Sequence, residues 1–342
     1  MWVKGEIFRD FDDVERAARG TLDREAQASP FDRIEWFRRT WTHCPPGNRP
    51  LIVRARTEGS DAWLFLAERT NGAAVGLASW YTLAFRPIIT GTPTEMAVRA
   101  LLVASARRLR ARLSSITLDH VPEADAELLR TTFRAAGWIT RVTPQVANWS
   151  IDVTGKSFAD FWAERPGQLR STAKRKAAKI DLETEIFDRF DAAAWDAYAD
   201  IYADSWKPDE GSLVFLRAMA EEKGAAGALR LGIASLDARP VAAQLWTLSH
   251  GQAIIHKLAH RQDVTELSPG TILSKAMFEH VIDRDRVGLI DFGTGDDRYK
   301  ADWMDTRVMR MRVELFNPRK PHGLFGAAKA ELRALAARGA KG

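Results

Sequence analysis

The two halves of this chain repeat one order of predicted elements, and this repetition limits the folds that the chain can adopt. In each half, several strand-like hydrophobic runs are followed by a helix, a strand, a second helix and a final strand. A repeat this long cannot be a solenoid unit, which spans roughly 20 to 50 residues. We therefore predict two copies of one mixed α/β (α+β) fold, with a boundary near residue 150.

Short polar segments predict where individual elements begin and turn. Asn71 and Gly72 lie between two strand-like runs and predict a β-hairpin. Ser29 before Pro30 predicts the cap and first turn of a helix. The spacing of apolar residues predicts another helix from roughly Thr94 to Arg112.

The composition is that of a globular protein with no predicted membrane span. The 342 residues suffice for about two domains, and 46% are hydrophobic. No apolar run has membrane-spanning length, and the acidic N-terminal segment is unlike a signal peptide. Because Cys44 is the only cysteine, no internal disulfide can form. We expect a cytoplasmic protein, whose net charge of +5 favours anionic ligands such as coenzyme phosphates.

The tripeptide Asp291-Phe292-Gly293 suggests a protein kinase, but the rest of the chain argues against one. Kinases need a glycine-rich loop over the phosphates, and no G-x-G-x-x-G occurs here. The position five after Asp263, where a kinase would have its asparagine, is Ser268. A kinase is therefore excluded, and the tripeptide needs another explanation.

Two further motifs favour structural interpretations. The Gly155–Ser157 segment lacks the first glycine of a phosphate loop and is better explained as a helix cap. His256 and His260 lie four residues apart in a predicted strand with no third ligand, which favours two half-buried histidines. We predict no metal site.

A basic segment leaves two interpretations open. It could bind an anion, or it could be the solvated face of a helix, and charge alone does not separate the two. No aromatic residue lies between its cations, which argues against stacking on single-stranded nucleic acid. The cations are Arg165, Arg170, Lys174, Arg175, Lys176 and Lys179.

The segment from Ser268 to Thr271 has the features of a helix start that could bind phosphate. Ser268 could cap the helix, Pro269 suits its first turn, Gly270 would let a ligand approach the backbone, and Thr271 adds a hydroxyl. Free amides at a helix start bind phosphate. Taken alone, however, the segment is better explained as a well-capped helix.

Residues of about 195 to 315 resemble the GNAT superfamily of N-acyltransferases, in the two-lobed branch associated with cellulose and exopolysaccharide biosynthesis, which is distantly similar to Fem-type transferases. The combination of S-W-K-x-x-E, A-x-Q-L-W, S-P-G-T-x-L and D-x-G-x-G-D-D-x-Y-K-x-x-W carries the resemblance. It implies two tandem GNAT-like domains, each a mixed, mainly antiparallel sheet flanked by helices. The segment 268–271 departs from the usual Q/R-x-x-G-x-G/A loop.

The resemblance implies three groups of site residues. The proposed catalytic group supplies a base or amine anchor, a proton for the leaving thiolate, and a cation: Asp291, Asp296, Asp297, Tyr299 and Lys300. The proposed cofactor-binding group holds acyl-CoA, beside an oxyanion-binding amide near Lys257 to Ala259: Ser268, Pro269, Gly270, Thr271 and Lys257. The proposed substrate-binding group is Trp206, Glu210 and Gln244.

The resemblance implies an acyl-CoA-dependent N-acyltransferase with a small-molecule amine acceptor, such as an amino sugar or an envelope or exopolysaccharide precursor. Residues 1–150 would be a non-catalytic lobe and 151–320 the catalytic domain, and the basic segment 321–342 is predicted as a helical tail. A Fem-like transferase using aminoacyl-tRNA is an alternative, favoured if the basic segment lies beside the cleft. A catalytically inactive scaffold for polysaccharide assembly is another, favoured if the acids of the 291–297 loop point away from any pocket.

Overall fold

A computed structural model describes the backbone of residues 3–339 and the side chains of residues 3–336. The first two residues of the predicted N-terminal lobe and the last three of the predicted tail lie outside the described residues. The strands of the described chain are β1 (Lys4–Phe8), β2 (Arg49–Thr57), β3 (Ser60–Glu68), β4 (Ala73–Gly76), β5 (Ile88–Gly91), β6 (Ser115–Pro122), β7 (Ile139–Asp152), β8 (Leu182–Phe187), β9 (Leu229–Leu236), β10 (Arg239–Ser249), β11 (Gln252–His260), β12 (Leu289–Thr294) and β13 (Thr306–Phe316).

Helices alternate with these strands. They are α1 (Phe11–Ala18), α2 (Ile34–His43), α3 (Glu95–Arg110), α4 (Glu123–Ala135), α5 (Phe158–Glu164), α6 (Gly167–Ala177), α7 (Ala192–Ala203), α8 (Leu213–Ala225), α9 (Pro269–Glu279), α10 (Lys300–Trp303) and α11 (Pro321–Gly339). A 3-10 segment, Gln262–Leu267, precedes α9, and a π-helical segment, His280–Arg284, follows it. No helix within residues 3–339 combines the length and apolarity needed to cross a membrane.

The chain divides into two compact units. Unit 1 takes in the chain up to Val146 and again from Met309 onward, and unit 2 is Ala147–Val308. The predicted boundary near residue 150 lies close to this division, inside β7. Residues 309–320, which the sequence analysis assigned to the second domain, group with unit 1 because the second part of β13 pairs with β6 there.

The predicted repetition of elements is present in the two units. In unit 1, antiparallel β1, β2, β3 and β4 are followed by α3 and then by β6, which pairs in parallel with β4. In unit 2, antiparallel β8, β9, β10 and β11 are followed by α9 and then by β12, which pairs in parallel with β11. Each unit therefore has a mixed, mainly antiparallel sheet flanked by helices, as predicted.

The parallel pairs are short, which leaves the longer strands partly unpaired. β11 and β12 are in register from Gln252 opposite Leu289 to Ile254 opposite Asp291. Beyond Ile254, β11 continues to His260 without a β12 partner on that side. This separation of two neighbouring strands opens the part of unit 2 in which a ligand could lie.

Local structure follows the sequence signals at Ser157 and at the Asn71 turn, but not at Ser29. Ser157 forms the predicted helix cap, with a reciprocal bond to Asp160, and Asn71 and Gly72 connect β3 to β4. Ser29 caps only the short 3-10 segment Pro30–Asp32. The single helix predicted there is wrong, because Arg33 is extended and its buried guanidinium donates to the carbonyls of Gln27 and Ala28 at 2.9 and 3.0 Å.

Aromatic rings hold α9 and α10 in place in unit 2. Phe278 of α9 stacks on Trp303 of α10 with ring centroids 4.7 Å apart. Trp246 of β10 meets the same phenylalanine edge-on at 5.1 Å. All three side chains are buried, so their contacts hold α9 in position against the sheet.

Candidate active site

A cavity of about 320 Å³ lies at the end of β11 in unit 2. On β11 it is lined by Leu258 to His260, which lie beyond the last residue paired with β12. Its other walls come from the start of α9, from α6, α10 and the loop after α7. Five of the proposed site residues line it: Trp206, Ser268, Gly270, Thr271 and Tyr299. Leu258 and Ala259, from the stretch predicted to offer an oxyanion-binding amide, also line it. Lining residues that were not predicted as site residues are Leu169, His260, Thr265, Ser274, Asp302 and Trp303.

The start of α9 offers fewer free amides than the sequence predicted. Pro269 has no amide hydrogen, and the amides of Thr271 and Ile272 both donate to the carbonyl of Ser268, at 3.1 and 3.4 Å. Ser268 is strained into the left-handed region (φ 56°), and its side chain does not make the predicted capping bond. Ser268, Gly270 and Thr271 nevertheless line the cavity and bring two hydroxyl groups to this wall.

Gly270 leaves open space in this wall. A methyl group added at its α-carbon would meet no atom within 4 Å, and its backbone is helical. The position can therefore accept alanine without strain, while a large side chain there would project into the cavity.

The sequence analysis interpreted His260 as a structural residue, but the fold places this titratable group in the cavity wall. Its Nδ1 is buried and has no hydrogen-bond partner among residues 3–336. Burial, with a contribution from the positive charge of Lys207, lowers the pKa of His260 below its ordinary value. A neutral imidazole here can accept a proton, and the signal that could have identified it was its place at the last position of the strand before the Ser268 turn.

Trp206 covers this histidine. The two rings meet edge-to-face with centroids 4.3 Å apart, and 51% of the tryptophan surface is exposed. The Lys207 ammonium lies 5.4 Å from the centre of the Trp206 ring. Trp206 thus lines the cavity and is exposed enough to contact a ligand that enters it.

Tyr299 is the one member of the predicted catalytic group that lines the cavity. Its ring packs edge-on against Phe292 at 5.7 Å. Burial raises the pKa of its phenol above the ordinary value, and the nearby Asp297 charge adds to that effect. The phenol therefore keeps its proton at neutral pH and can donate it.

The three predicted acids are placed elsewhere. Asp291 is buried in the sheet, where its Oδ1 accepts from Asn148 Nδ2 at 3.0 Å and from the Gly293 amide at 2.8 Å. Asp296 is exposed and forms two hydrogen bonds with Arg307, at 2.9 and 2.6 Å, which lower the pKa of the carboxyl. Asp297 is exposed as well. None of the three belongs to the described lining of the cavity.

Lys300 forms no ion pair with Asp291, Asp296 or Asp297. Its buried Nζ donates to the carbonyls of Phe292, Gly293 and Thr294, at 3.3, 3.4 and 2.7 Å. Burial lowers the pKa of this lysine to about 8. The side chain therefore stabilises the backbone conformation at the end of β12.

Gln244 is fully engaged inside the protein and is not available to a substrate. Its Nε2 donates to the Ser274 hydroxyl at 2.7 Å and to the Gly270 carbonyl at 3.3 Å, and its Oε1 accepts from Trp246 Nε1 at 2.9 Å. The side chain joins β10 to the first turns of α9. It acts on the cavity only by positioning this helix.

Glu210 and Lys257 were predicted to bind substrate and cofactor, and the structure pairs them with each other. Lys257 Nζ lies 2.9 Å from Glu210 Oε2, and only 3% of the glutamate side chain is exposed. The same Nζ lies 5.5 Å from the centre of the Tyr202 ring. This pair anchors the loop that carries Trp206 onto β11.

The basic segment lies beside the cavity, but not all of its cations are free. Leu169 of α6 lines the cavity, and Lys176 donates to the Glu266 carbonyl in the 3-10 segment before α9. Arg165 is buried in a two-bond pair with Asp305 (2.8 and 3.0 Å) and is structural. The exposed cations of the segment are Arg170, Lys174, Arg175 and Lys179.

The remaining motifs are explained by the fold. Asp291, Phe292 and Gly293 form part of β12, with Asp291 bonded as described. His256 Nε2 lies 2.8 Å from Thr247 Oγ1, which accounts for its position in β11. Residues 3–336 contain no group of three or more His, Cys, Asp or Glu side chains that could hold a metal ion.

Comparison with known proteins agrees with this architecture. Residues 164–301 match the family model described as an acetyltransferase (GNAT) domain, a range that contains the cavity lining except for Asp302 and Trp303. No curated protein sequence matches the chain.

Solved structures resemble the chain over nearly its whole length. FemX is 11% identical and covers 91% of this chain and 98% of its own, with a TM-score of 0.60. A conserved protein of unknown function from Bacteroides thetaiotaomicron is 13% identical, covers 92% and 100%, and has a TM-score of 0.56. A tandem GNAT protein from the clavulanic acid biosynthesis pathway is 12% identical, covers 91% and 98%, and has a TM-score of 0.52. At these identities the likeness concerns the fold alone, and the chain shares the fold of these structures, with a GNAT-type domain within residues 164–301.

Proposed function

We propose that unit 2 transfers an acyl group from an activated donor to an amine, with acyl-CoA as the donor and the cavity at the end of β11 as the reaction site. The observation that supports this most is the coincidence of the GNAT family match with the cavity lining. A cavity bounded by a helix start and an unpaired strand end can accept an elongated donor between them.

The chemistry requires a proton acceptor for the amine, and His260 takes this role in our proposal. Its neutral ring lines the cavity, and proton transfer by a positioned base accelerates such reactions by roughly 100- to 10,000-fold. In our proposal His260 takes the role that the sequence analysis gave to the carboxylates of the 291–297 loop, because none of those carboxylates lines the cavity.

The leaving group and the oxyanion have candidate partners in the same cavity. Tyr299 retains its phenolic proton and can deliver it to the departing thiolate. Past Ile254, β11 has no partner strand on its β12 side, so alternate amides of the Leu258–His260 stretch are available to the oxyanion. In this proposal Trp206 helps to enclose the amine acceptor, such as an amino sugar.

Aminoacyl-tRNA is a second candidate donor, and a specific observation favours it. Helix α6, which carries cations of the basic segment, contributes Leu169 to the cavity lining, and the start of α9 has few free amides for a pyrophosphate. The position of the acids away from the cavity lining would suit an inactive scaffold, but His260 and Tyr299 still supply a proton acceptor and a donor.

A binding experiment separates these possibilities. Acetyl-CoA and longer acyl-CoAs would be titrated by calorimetry and by thermal shift against the wild type, Gly270→Trp and the matched control Gly270→Ala. A ligand at 100 times its Kd stabilises by about 2.7 kcal/mol, so we expect a clear thermal shift that survives in Gly270→Ala and is lost in Gly270→Trp.

The donor result would then be tested by turnover. Release of free CoA thiol in the presence of a panel of amino sugars would establish the reaction. If no acyl-CoA binds and aminoacyl-tRNA does, the donor is aminoacyl-tRNA instead of acyl-CoA. Failure of both would leave the scaffold interpretation.

A further inference from the structure

Helix α11 in unit 1 carries an exposed apolar face. Leu324, Phe325, Leu332 and Leu335, which we call the α11 apolar face, are 51%, 71%, 66% and 60% exposed. Their spacing places them within an arc of about 100° on the helix. Large apolar side chains clustered in this way, rather than scattered singly, mark a surface that binds something.

The opposite side of the helix accounts for its attachment to unit 1. Ala327 and Ala330 are buried against Phe316. Near its start, Gly323 lies so close to the carbonyls of Asn317 and Ser114 that a β-carbon there would approach within 2.2 and 2.6 Å. Small residues therefore seat α11 on unit 1, and the large apolar residues are not needed for that packing.

A cationic cavity of about 570 Å³ lies next to the beginning of α11. It is lined by Arg107 and Arg110 from the end of α3 and by Arg319 and Lys320, which immediately precede Pro321. Within residues 3–336, no carboxylate forms an ion pair with any of these four cations. Such a cavity can take a phosphate group.

We propose that the α11 apolar face and the cationic cavity together form a docking surface for an anionic lipid membrane. The apolar face would lie in the interface between headgroups and acyl chains, and the cavity would hold a lipid phosphate. On the described helix, Lys329 and Arg333 border the α11 apolar face on one side, and Glu331, the one acid of residues 321–336, borders it on the other. Basic residues beside an apolar face are a feature of helices that lie on anionic membranes.

Charge favours a membrane over a second copy of this chain. In a two-fold dimer built on this surface, each copy presents the same patch to the other, so the cations of one would face those of its partner. An anionic membrane instead neutralises them. The surface therefore fits a lipid bilayer better than itself.

Vesicle co-sedimentation of the full chain tests the proposal. Vesicles of phosphatidylcholine alone would be compared with vesicles that also contain phosphatidylglycerol. We expect binding to the anionic vesicles, at least about tenfold weaker for Leu332→Glu/Leu335→Glu and reduced by added salt. Met96→Glu, which changes a 77%-exposed residue of α3, is the matched control and should bind as the wild type does.

The cationic cavity needs its own variant. Arg319→Gln/Lys320→Gln should weaken binding to anionic vesicles, whereas Arg56→Gln/Arg239→Gln, which removes two exposed cations elsewhere, should not. Because Cys44 is the only cysteine, an environment-sensitive dye on Phe325→Cys in a Cys44→Ser background would report directly whether the apolar face enters the membrane.

Several outcomes would overturn the proposal. Equal binding to neutral and anionic vesicles would exclude the role of the cations. Displacement by inorganic phosphate at constant ionic strength would assign the cavity to a free anion. Absence of vesicle binding, together with a dimer in sedimentation velocity that Leu332→Glu/Leu335→Glu dissociates, would assign the surface to a second copy.

Discussion

Gln244 and Ser274 join the central sheet of unit 2 to the helix that begins at the candidate active site, through a hydrogen bond of 2.7 Å between the amide nitrogen and the hydroxyl. The same amide group accepts from Trp246 and donates to the Gly270 carbonyl. Since Gly270 lines the cavity, the buried Gln244 side chain helps to fix the position of the cavity wall.

Replacement of Gln244 by leucine should therefore affect stability and donor binding together. The indole of Trp246 and the hydroxyl of Ser274 would be left buried without this partner, at a cost of about 1–3 kcal/mol for each unsatisfied group. Urea denaturation of Gln244→Leu would measure the loss. Ser274→Ala, which removes one hydroxyl and leaves the Trp246 bond intact, should cost less, and equal losses would contradict this account.

Loss of His260 should remove a protonation step from the pH dependence of the reaction. With the histidine pKa below its ordinary value, the neutral base is present across neutral pH, and kcat/KM should fall only as acid protonates it. We expect His260→Gln to lower kcat/KM by roughly 100- to 10,000-fold and to abolish that acidic limb. His256→Gln, on the same strand, is the control, and an unchanged limb in His260→Gln would assign the base elsewhere.

Asp291 and Asp296 should differ in the kind of damage that their removal causes. Asp291→Ala breaks two buried hydrogen bonds and should cost about 1–3 kcal/mol of unfolding free energy, whereas Asp291→Asn keeps an acceptor and should retain most activity. Asp296→Asn should change neither quantity appreciably, because it alters an exposed ion pair. A well-folded Asp291→Asn protein without activity would restore Asp291 as the base.

Asp32 should make unit 1 less stable as the pH rises through the mildly acidic range. Burial raises the pKa of its carboxyl to about 6 in the folded protein, while Arg86 at 3.8 Å opposes this only in part. Between the ordinary pKa and about 6 the folded state binds more protons than the unfolded state. The free energy of unfolding therefore falls with rising pH, by up to about 1.4 kcal/mol per pH unit.

Asp32→Asn removes this titration, so the variant should gain stability relative to the wild type as the pH rises. Urea denaturation of both proteins from about pH 4 to about pH 7 would measure it. Parallel stability curves for the two proteins over this range would show that Asp32 does not titrate as described.

Much of the local structure was determined by the sequence alone. The hairpin at Asn71 and Gly72, the cap at Ser157 and the repeated order of strands and helices depend on interactions between residues close in the chain, and the predicted fold class is confirmed. The elements that were not predicted include β1 and β8, which are short and charged and give little periodic signal. Helix α1 was also not predicted, although its buried residues Phe11, Val14 and Ala18 have helical spacing.

Only the tertiary structure decided which side chains share the cavity. Gln244 and Lys257 look like polar groups available to a ligand, but their partners, Ser274 and Glu210, lie 30 and 47 residues away in the chain. Asp296 similarly forms an ion pair with Arg307. Hydrogen bonds and ion pairs between distant residues are formed only when strands and helices pack, so a motif shows which groups could react but not which remain free to do so.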